Sequence, residues 1–317
     1  MDPMVRQTSR RLPLAKIRLL RRRGLSVVGW LWGIFLAAIV YANETAYLQE
    51  LNAWRTAHAQ RLQGGEGWLT IAGLHWLNVG ENRIGTNPSN DIVLRDGSAP
   101  AHVGVFDFSP ETTTFRAADG VEVKQRGQIV QSATLTPGPG TGAAPADALM
   151  VGALTLWLHQ SGERFAVRIR DPQNPLRTHF TGCKWFPVNP AYRVAGRFLP
   201  YDTPKAVTMP NVMGDLEHYT SPGLVQFELQ GQTLSLQSVS TGEDRLFFVF
   251  RDQTSGHETY GAARFLVAEG PHDGQVLLDF NKAVNPPCAY NPYTTCPLPV
   301  KENRLPIRIE AGELLYH

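Results

Sequence analysis

Over most of the chain, apolar and polar residues alternate in short runs. From Trp68 onward, segments such as HVGVFDF, TTFRA, ALTLWLH, RFAVRIR, RLFFVFRD and GQVLLDF place apolar side chains at every second position, the period of a half-buried β-strand. Gly, Pro, Asp and Ser punctuate these runs about every ten residues, the rhythm of a sandwich or barrel. GWLTIAGLHWLNVGENRIG reads as two strands around a turn at Gly80-Glu81-Asn82, and PIRIEAG reads as the last strand. The stretch 43–64 has a different period. Tyr47, Leu48, Leu51, Trp54, Arg55, His58 and Leu62 recur at three-to-four spacing, which predicts a short amphipathic helix with Asn43 as its N-cap and Gly64-Gly65 as its stop.

The expected fold class is therefore all-β: two packed β-sandwich or barrel units, over 65–170 and 171–317, behind an amphipathic helix (43–64) and an N-terminal membrane segment (1–42). RDPQNPLRTHFTGCKWFPVNPAYRV, rich in Pro and aromatics, connects the two units, and the Gly/Pro/Ala-rich stretch 136–148 is a loop.

Charge sharpens the picture at the N-terminus. Leu25–Ala42 carries no charge over 18 positions, nearly enough to span a hydrocarbon core of about 30 Å. Eight of the 30 basic residues precede it, against Asp2 alone, leaving 22 basic and 27 acidic residues afterwards. Arginines ahead of an apolar run predict a cytoplasmic N-terminus and an extracytoplasmic, periplasmic body. The body is either released by cleavage after Val40-Tyr41-Ala42 or anchored in the inner membrane. A mildly acidic body lacks the basic surface that nucleic-acid binding requires, which excludes that class.

Candidate chemistry gathers in two places. Asp279–Asn303 (DFNKAVNPPCAYNPYTTCPLPVKEN) is an irregular, Pro-rich loop whose backbone needs non-ladder partners. Asn281, Asn285 and Asn303 are candidates to supply them or to bind a ligand. In RDQTSGHETYGAARF, the residues Arg251, Tyr260 and Arg264 can anchor an anionic small molecule, with Glu258, Tyr260 and Arg264 on one strand face. Asp279 or Glu258 is the candidate general base for a hydrolase. Cys288 and Cys296, eight positions apart in an oxidising compartment, are expected to form a disulfide. The rival reading is a Cys288 nucleophile with His257 or His218 as base. Cys183 reads as a buried apolar residue and His58 as a polar edge residue. No CxxC or HxxxH spacing occurs, so neither a metal nor a cofactor is expected. The elbow GxSxG, the P-loop, GxGxxG and HExxH are absent too.

Two resemblances follow. GENRIGTNPSNDIVLRDGSAPAHVGV (80–105) resembles the core of a forkhead-associated domain at Ile84-Gly85, Asn90–Leu94, Ser98 and His102. Thr86 stands where that family has its phosphate-contacting arginine, so the resemblance implies a sandwich without phosphopeptide binding. GWLTIAGLHWLNVGENRIG, TGCKWFPVNPAYRV, RLFFVFRDQTSGHETYGAARFL and DFNKAVNPPCAYNPYTTCPLPVKENRLP together resemble an uncharacterised bacterial and archaeal family, domain of unknown function 1684. That resemblance implies a β-rich fold and assigns no catalytic residue. The leading expectation is an envelope protein binding a small polar ligand, with or without hydrolase-type catalysis; the alternative is an interaction or structural module.

Overall fold

The computed structural model describes the backbone from Gly24 and side chains from Glu44, leaving aside 139, 141, 241, 243 and 317. The predicted signal or anchor, 1–42, thus lies outside the described side chains. No helix among the described residues is long and apolar enough to cross a membrane. The chain forms two compact units, Met1–Glu50 and Leu51–His317.

Helix α1 runs Gly24–Gln63. Asn43 is therefore an interior residue and not the predicted N-cap; Phe35–Ala42 before it holds no Gly or Pro to stop a helix. The predicted stripe is present from Leu51 to Leu62: those two are buried, and Trp54, Arg55 and His58 are half-buried. The helix ends at Gly64-Gly65, as predicted.

In the first half of the larger unit the strands are β1 (Ile71–Trp76), β2 (Gly80–Gly85), β3 (Ile92–Val93), β4 (Gly104–Phe108), β5 (Thr113–Ala117), β6 (Lys124–Gln125), β7 (Gln128–Ile129), β8 (Ser132–Leu135), β9 (Leu149–Val151), β10 (Leu154–Ser161) and β11 (Arg164–Arg170). They form a six-stranded sheet, β1-β11-β10-β9-β6-β7, and a five-stranded sheet, β3-β2-β4-β5-β8. The alternation in LTLWLHQS and RFAVRIR determines which side chains face the core. Leu156, Leu158, Val167 and Ile169 share a core with Ile84, Phe106 and Phe115 of the other sheet, each such burial contributing about 1.5–3 kcal/mol. The intervening Trp157, His159, Arg168 and Arg170 therefore occupy the opposite face. β1 and β2 belong to different sheets, so the expected turn at Gly80–Asn82 is not a hairpin; Gly80 (φ 92°) starts β2. Within 80–105, the Asn90 amide donates to the Asn87 and Ala101 carbonyls at 2.8 Å, and the His102 ring packs 3.1 Å from Asn90 Oδ1.

In the second half, helix α2 (Pro175–Thr178) precedes β12 (Arg193–Pro210), β13 (Leu216–Leu229), β14 (Gln232–Gln237), β15 (Val239–Ser240), β16 (Arg245–Phe250), β17 (Arg264–Glu269) and β18 (Gln275–Asp279). These form sheets β14-β13-β12-β18 and β15-β16-β17. RVAGRFLPYD and KAVTM are one strand, broken in register between Pro200 and Lys205. The far end of the β12–β13 hairpin reaches the end of β10–β11. There Asp215 takes two 2.7 Å hydrogen bonds from Arg164, and the Ser161 hydroxyl donates to Asp215 at 2.8 Å.

The segment Leu305–Ala311 is not the predicted strand. Its alternation is real, since Leu305, Ile307, Ile309 and Ala311 all enter the core. Its carbonyls, however, are taken by side chains and isolated amides. The Arg264 guanidinium donates to Ile309 O at 3.0 Å and to Ala311 O, and the Gln253 amide donates to Ile307 O at 2.9 Å. Arg264 thus does the work of a neighbouring strand.

Candidate functional site

A cavity of about 1090 Å³ opens between the end of α1, the 64–68 loop, β10, the β12–β13 hairpin and the Pro-rich loop. The chain can turn into this space because residue 67 is glycine: a Cβ there would lie 2.2 Å from the Leu62 carbonyl oxygen. One part of the lining is apolar, with Leu62, Trp68, Tyr219, Val239, Phe247 and Phe265. The polar part includes His58, His159, Glu217, Asn285 and Thr295.

His159 leads to a buried charge. Its Nε2 lies 3.1 Å from Arg168 Nη2 and 3.3 Å from Thr295 Oγ1. A guanidinium can only donate, so Nε2 is the acceptor and the ring proton sits on Nδ1. Burial, with Arg168 adding to it, lowers the His159 pKa to about 3, so the ring is neutral at pH 7. Burial also lowers Arg168, to about 10, which still leaves a cation. Among the described residues no carboxylate pairs with Arg168, and its Nε and Nη1, together with His159 Nδ1, are buried without a hydrogen-bond partner. Buried polar groups are nearly always satisfied, and a buried cation without an acceptor is costly.

The depressed His159 pKa sets a pH dependence. The unfolded ring, with a pKa near 6.5, takes up a proton before the folded one does. The stability associated with neutral His159 is therefore complete above pH ~6.5 and is lost as pH falls toward 3. Urea unfolding between pH 7 and 4 is expected to show a shallower decline in a His159→Asn variant than in the wild type; equal slopes would contradict this assignment.

A second polar cluster borders the same cavity. His58 Nε2, Cys183 Sγ and the Glu313 carboxylate offer ligand atoms that all lie within 4.8 Å of one another. His58 Nε2 is 3.5 Å from Glu313 Oε2 but makes no hydrogen bond. Its ring stacks on Trp54 (5.7 Å, 7°) and meets Trp185 edge-on at 5.9 Å. Glu313 is held by the Asn285 backbone N–H at 2.9 Å and by the Tyr290 hydroxyl, which is 3.8 Å from Cys183 Sγ. Burial, reinforced by Glu313, pushes the Cys183 thiol pKa up.

The sequence-predicted site residues do not assemble into one site. Asn285 and Cys296 line the cavity. Arg264 is fully buried, its guanidinium ion-paired to Asp252 at 2.6 Å. Arg251 is half-buried, and its backbone pairs with the chain on either side of Arg304, its N–H donating to Asn303 O at 3.0 Å and its carbonyl accepting from Leu305 N at 2.8 Å. Glu258 and Tyr260 lie in the loop between β16 and β17, so they share no strand face with Arg264; Glu258 accepts from Arg308 at 2.7 Å, and the Tyr260 hydroxyl donates to Cys288 O at 3.2 Å. The Asp279 carboxylate caps a turn by accepting from the Asn281 backbone N–H at 3.1 Å, and Asn281 Nδ2 donates to Asn189 O at 2.9 Å. The expected Cys288–Cys296 bridge is not formed. Both are free thiols, with the Cys288 amide donating to Cys296 Sγ at 3.2 Å. A hydrogen bond from Cys296 lowers the Cys288 pKa, and burial pushes Cys296 well up.

Asn303 is a staple. Its Oδ1 accepts from the Gln237 amide at 2.7 Å, and its Nδ2 donates to Gln237 O and Val249 O, both at 2.9 Å. Leaving such backbone groups unsatisfied costs about 1–3 kcal/mol each, part of which water entering the gap recovers. Asn303→Ala is expected to destabilise by about 2–3 kcal/mol in urea unfolding; a change under 0.5 kcal/mol would contradict the staple.

Sequence reading missed His159, Arg168 and Glu313 and gave His58 and Cys183 structural roles. One signal was available: in RFAVRIR, Arg168 and Arg170 fall on the same alternation as Trp157 and His159 across the strand pair, placing cations on a face that a sandwich would otherwise leave to water. The second cluster draws on positions 58, 183 and 313, and no spacing rule spans such separations.

A family model described as "Protein of unknown function (DUF1684)" matches residues 178–314. The chain belongs to this family. In DUF1684 terms, Cys183, Tyr290 and Glu313 fall inside the matched region, whereas His58, His159 and Arg168 precede it. Among solved structures, the chain is similar to the solution NMR structure of an uncharacterized protein of Haloarcula marismortui, with 32% identity over 45% of this chain and 80% of that one and a TM-score of 0.38. No curated protein matches this DUF1684 chain.

Proposed function

We propose that this DUF1684 protein binds a small amphiphilic acid, an apolar body with a carboxylate or similar anionic head, in the 1090 Å³ cavity. The observation that carries this reading is the buried cation Arg168, which does not itself line the cavity but lies 3.1 Å behind the lining residue His159, with two donor nitrogens unsatisfied and no carboxylate partner among the described residues. An anionic head at the His159 wall of the cavity is attracted by that uncompensated charge. Leu62, Val239, Phe247 and Phe265 suit the apolar body, and the volume is at the upper end for small-molecule sites. The binding reading draws on neither Asp279 nor Glu258, which do not line the cavity.

The test is a thermal-shift screen of the full-length protein against fatty acids, aromatic carboxylates and phosphate monoesters, with the matching alcohols and neutral sugars beside them. Native-state binding at a hundredfold excess over Kd adds about 2.7 kcal/mol. Acids are expected to shift the midpoint and their alcohols to leave it unchanged. Equal shifts by acids and alcohols, or shifts by sugars alone, would overturn the reading.

The same proposal places the protein in the cell envelope, at the inner membrane. Its support is the uncharged run Leu25–Ala42 preceded by eight basic residues. A phosphatase reporter fused after residue 317 is expected to be active only outside the cytoplasm; an inactive, stable fusion would contradict export.

A further inference from the structure

We propose that His58, Cys183 and Glu313 form a binding site for a divalent metal of the zinc type, independent of the acid-binding reading. The three side chains come from α1, from the connection after α2 and from the C-terminal segment, and their ligand atoms lie within 4.8 Å of one another. Zinc takes thiolate, imidazole and carboxylate ligands together, with Zn–N and Zn–O of about 2.0–2.1 Å. At a tetrahedral angle those bonds put N and O about 3.3 Å apart. The His58 Nε2 to Glu313 Oε2 separation is 3.5 Å, within a small adjustment of that edge.

A second observation points to a missing partner. His58 Nε2 faces the carboxylate yet makes no hydrogen bond, and Asn285 Oδ1 beside the cluster is likewise buried without a partner. A hydrogen-bonded cluster would have used the His58 nitrogen; a cation uses it as a lone-pair donor. The surroundings are those of an oriented ligand set. Trp54 and Trp185 fix the imidazole plane, while the Tyr290 hydroxyl and the Asn285 backbone N–H hold the two carboxylate oxygens. His58 and Asn285 both line the cavity, which provides an entry path. Three protein ligands leave a coordination position open to solvent or a bound molecule. Binding replaces the Cys183 S–H bond with an S–metal bond and releases the proton to solvent.

The experiment strips the full-length protein with a chelator and titrates back zinc against a chromophoric competitor, with cobalt(II) as the spectroscopic probe. Expected are one equivalent of metal per chain and a sulfur-to-cobalt charge-transfer band. Cys183→Ser is expected to abolish the band and Cys288→Ser to leave it intact. His58→Ala, a partly exposed helix position, is expected to fold and to lose more than about 100-fold in zinc affinity, since loss of an outer-shell partner alone costs 10–100-fold. No stoichiometric metal in the wild type, a band that survives Cys183→Ser, or unchanged affinity in folded His58→Ala would overturn the site.

Discussion

Arg264→Ala is expected to destabilise the protein by about 3–5 kcal/mol, because it leaves a buried charge without its partner. Asp252 Oδ2 lies 2.6 Å from Arg264 Nη1, and both side chains are almost wholly inaccessible. Burial pulls the Arg264 pKa down and Asp252 pulls against it, the balance of an ion pair taken out of water. The same guanidinium donates to the Ile309 and Ala311 carbonyls, so its loss also strands the backbone of a core segment. Urea unfolding with an unchanged m-value measures the effect. A loss under 1 kcal/mol would show that the pair behaves like a surface salt bridge. Replacing both partners, Asp252→Leu with Arg264→Met, is expected to recover part of the loss, since an apolar pair leaves no uncompensated charge.

Arg168→Met is expected to have the opposite profile. Arg168 has no carboxylate partner among the described residues, and two of its N–H groups are unsatisfied. Removing it removes a desolvation cost and the charge that adds to burial in depressing the neighbouring His159. The ligand-free variant is expected to be at least as stable as the wild type, while affinity for the acid falls by on the order of 100-fold or more, the scale of a lost buried charge contact. Arg168 thus separates stability from binding, whereas Arg264 serves stability alone. A destabilised Arg168→Met variant that binds the acid normally would assign Arg168 to the architecture.

These two arginines also show how far the sequence was legible. Alternation identified the strands well wherever one face is buried, as in TTFRA, because period two has a single structural meaning there. It failed at PIRIEAG, where the apolar alternation is a core insertion and a side chain, Arg264, provides the hydrogen bonds of the absent ladder. Nothing local in the chain distinguishes those cases. The loop 279–303 was correctly read as irregular backbone tied by asparagines, and Asn281 and Asn303 do tie it. The sequence pointed to Arg264 as an anion anchor, although its guanidinium is committed to Asp252, because Arg264 and Arg168 look alike in sequence. What separates them is Asp252, twelve residues from Arg264 and hydrogen-bonded to it, whereas Arg168 meets a neutral histidine. The helix 43–64 was found by its stripe, but its start was set by residues the stripe does not include.

The most direct test of the binding account is a crystal structure of the full-length protein with the acid that gives the largest thermal shift. The account predicts an anionic head at the His159 wall of the cavity, on the side nearest Arg168, with the apolar body against Phe247 and Phe265. An acid bound elsewhere, or Arg168 paired to a carboxylate of the protein itself, would contradict it.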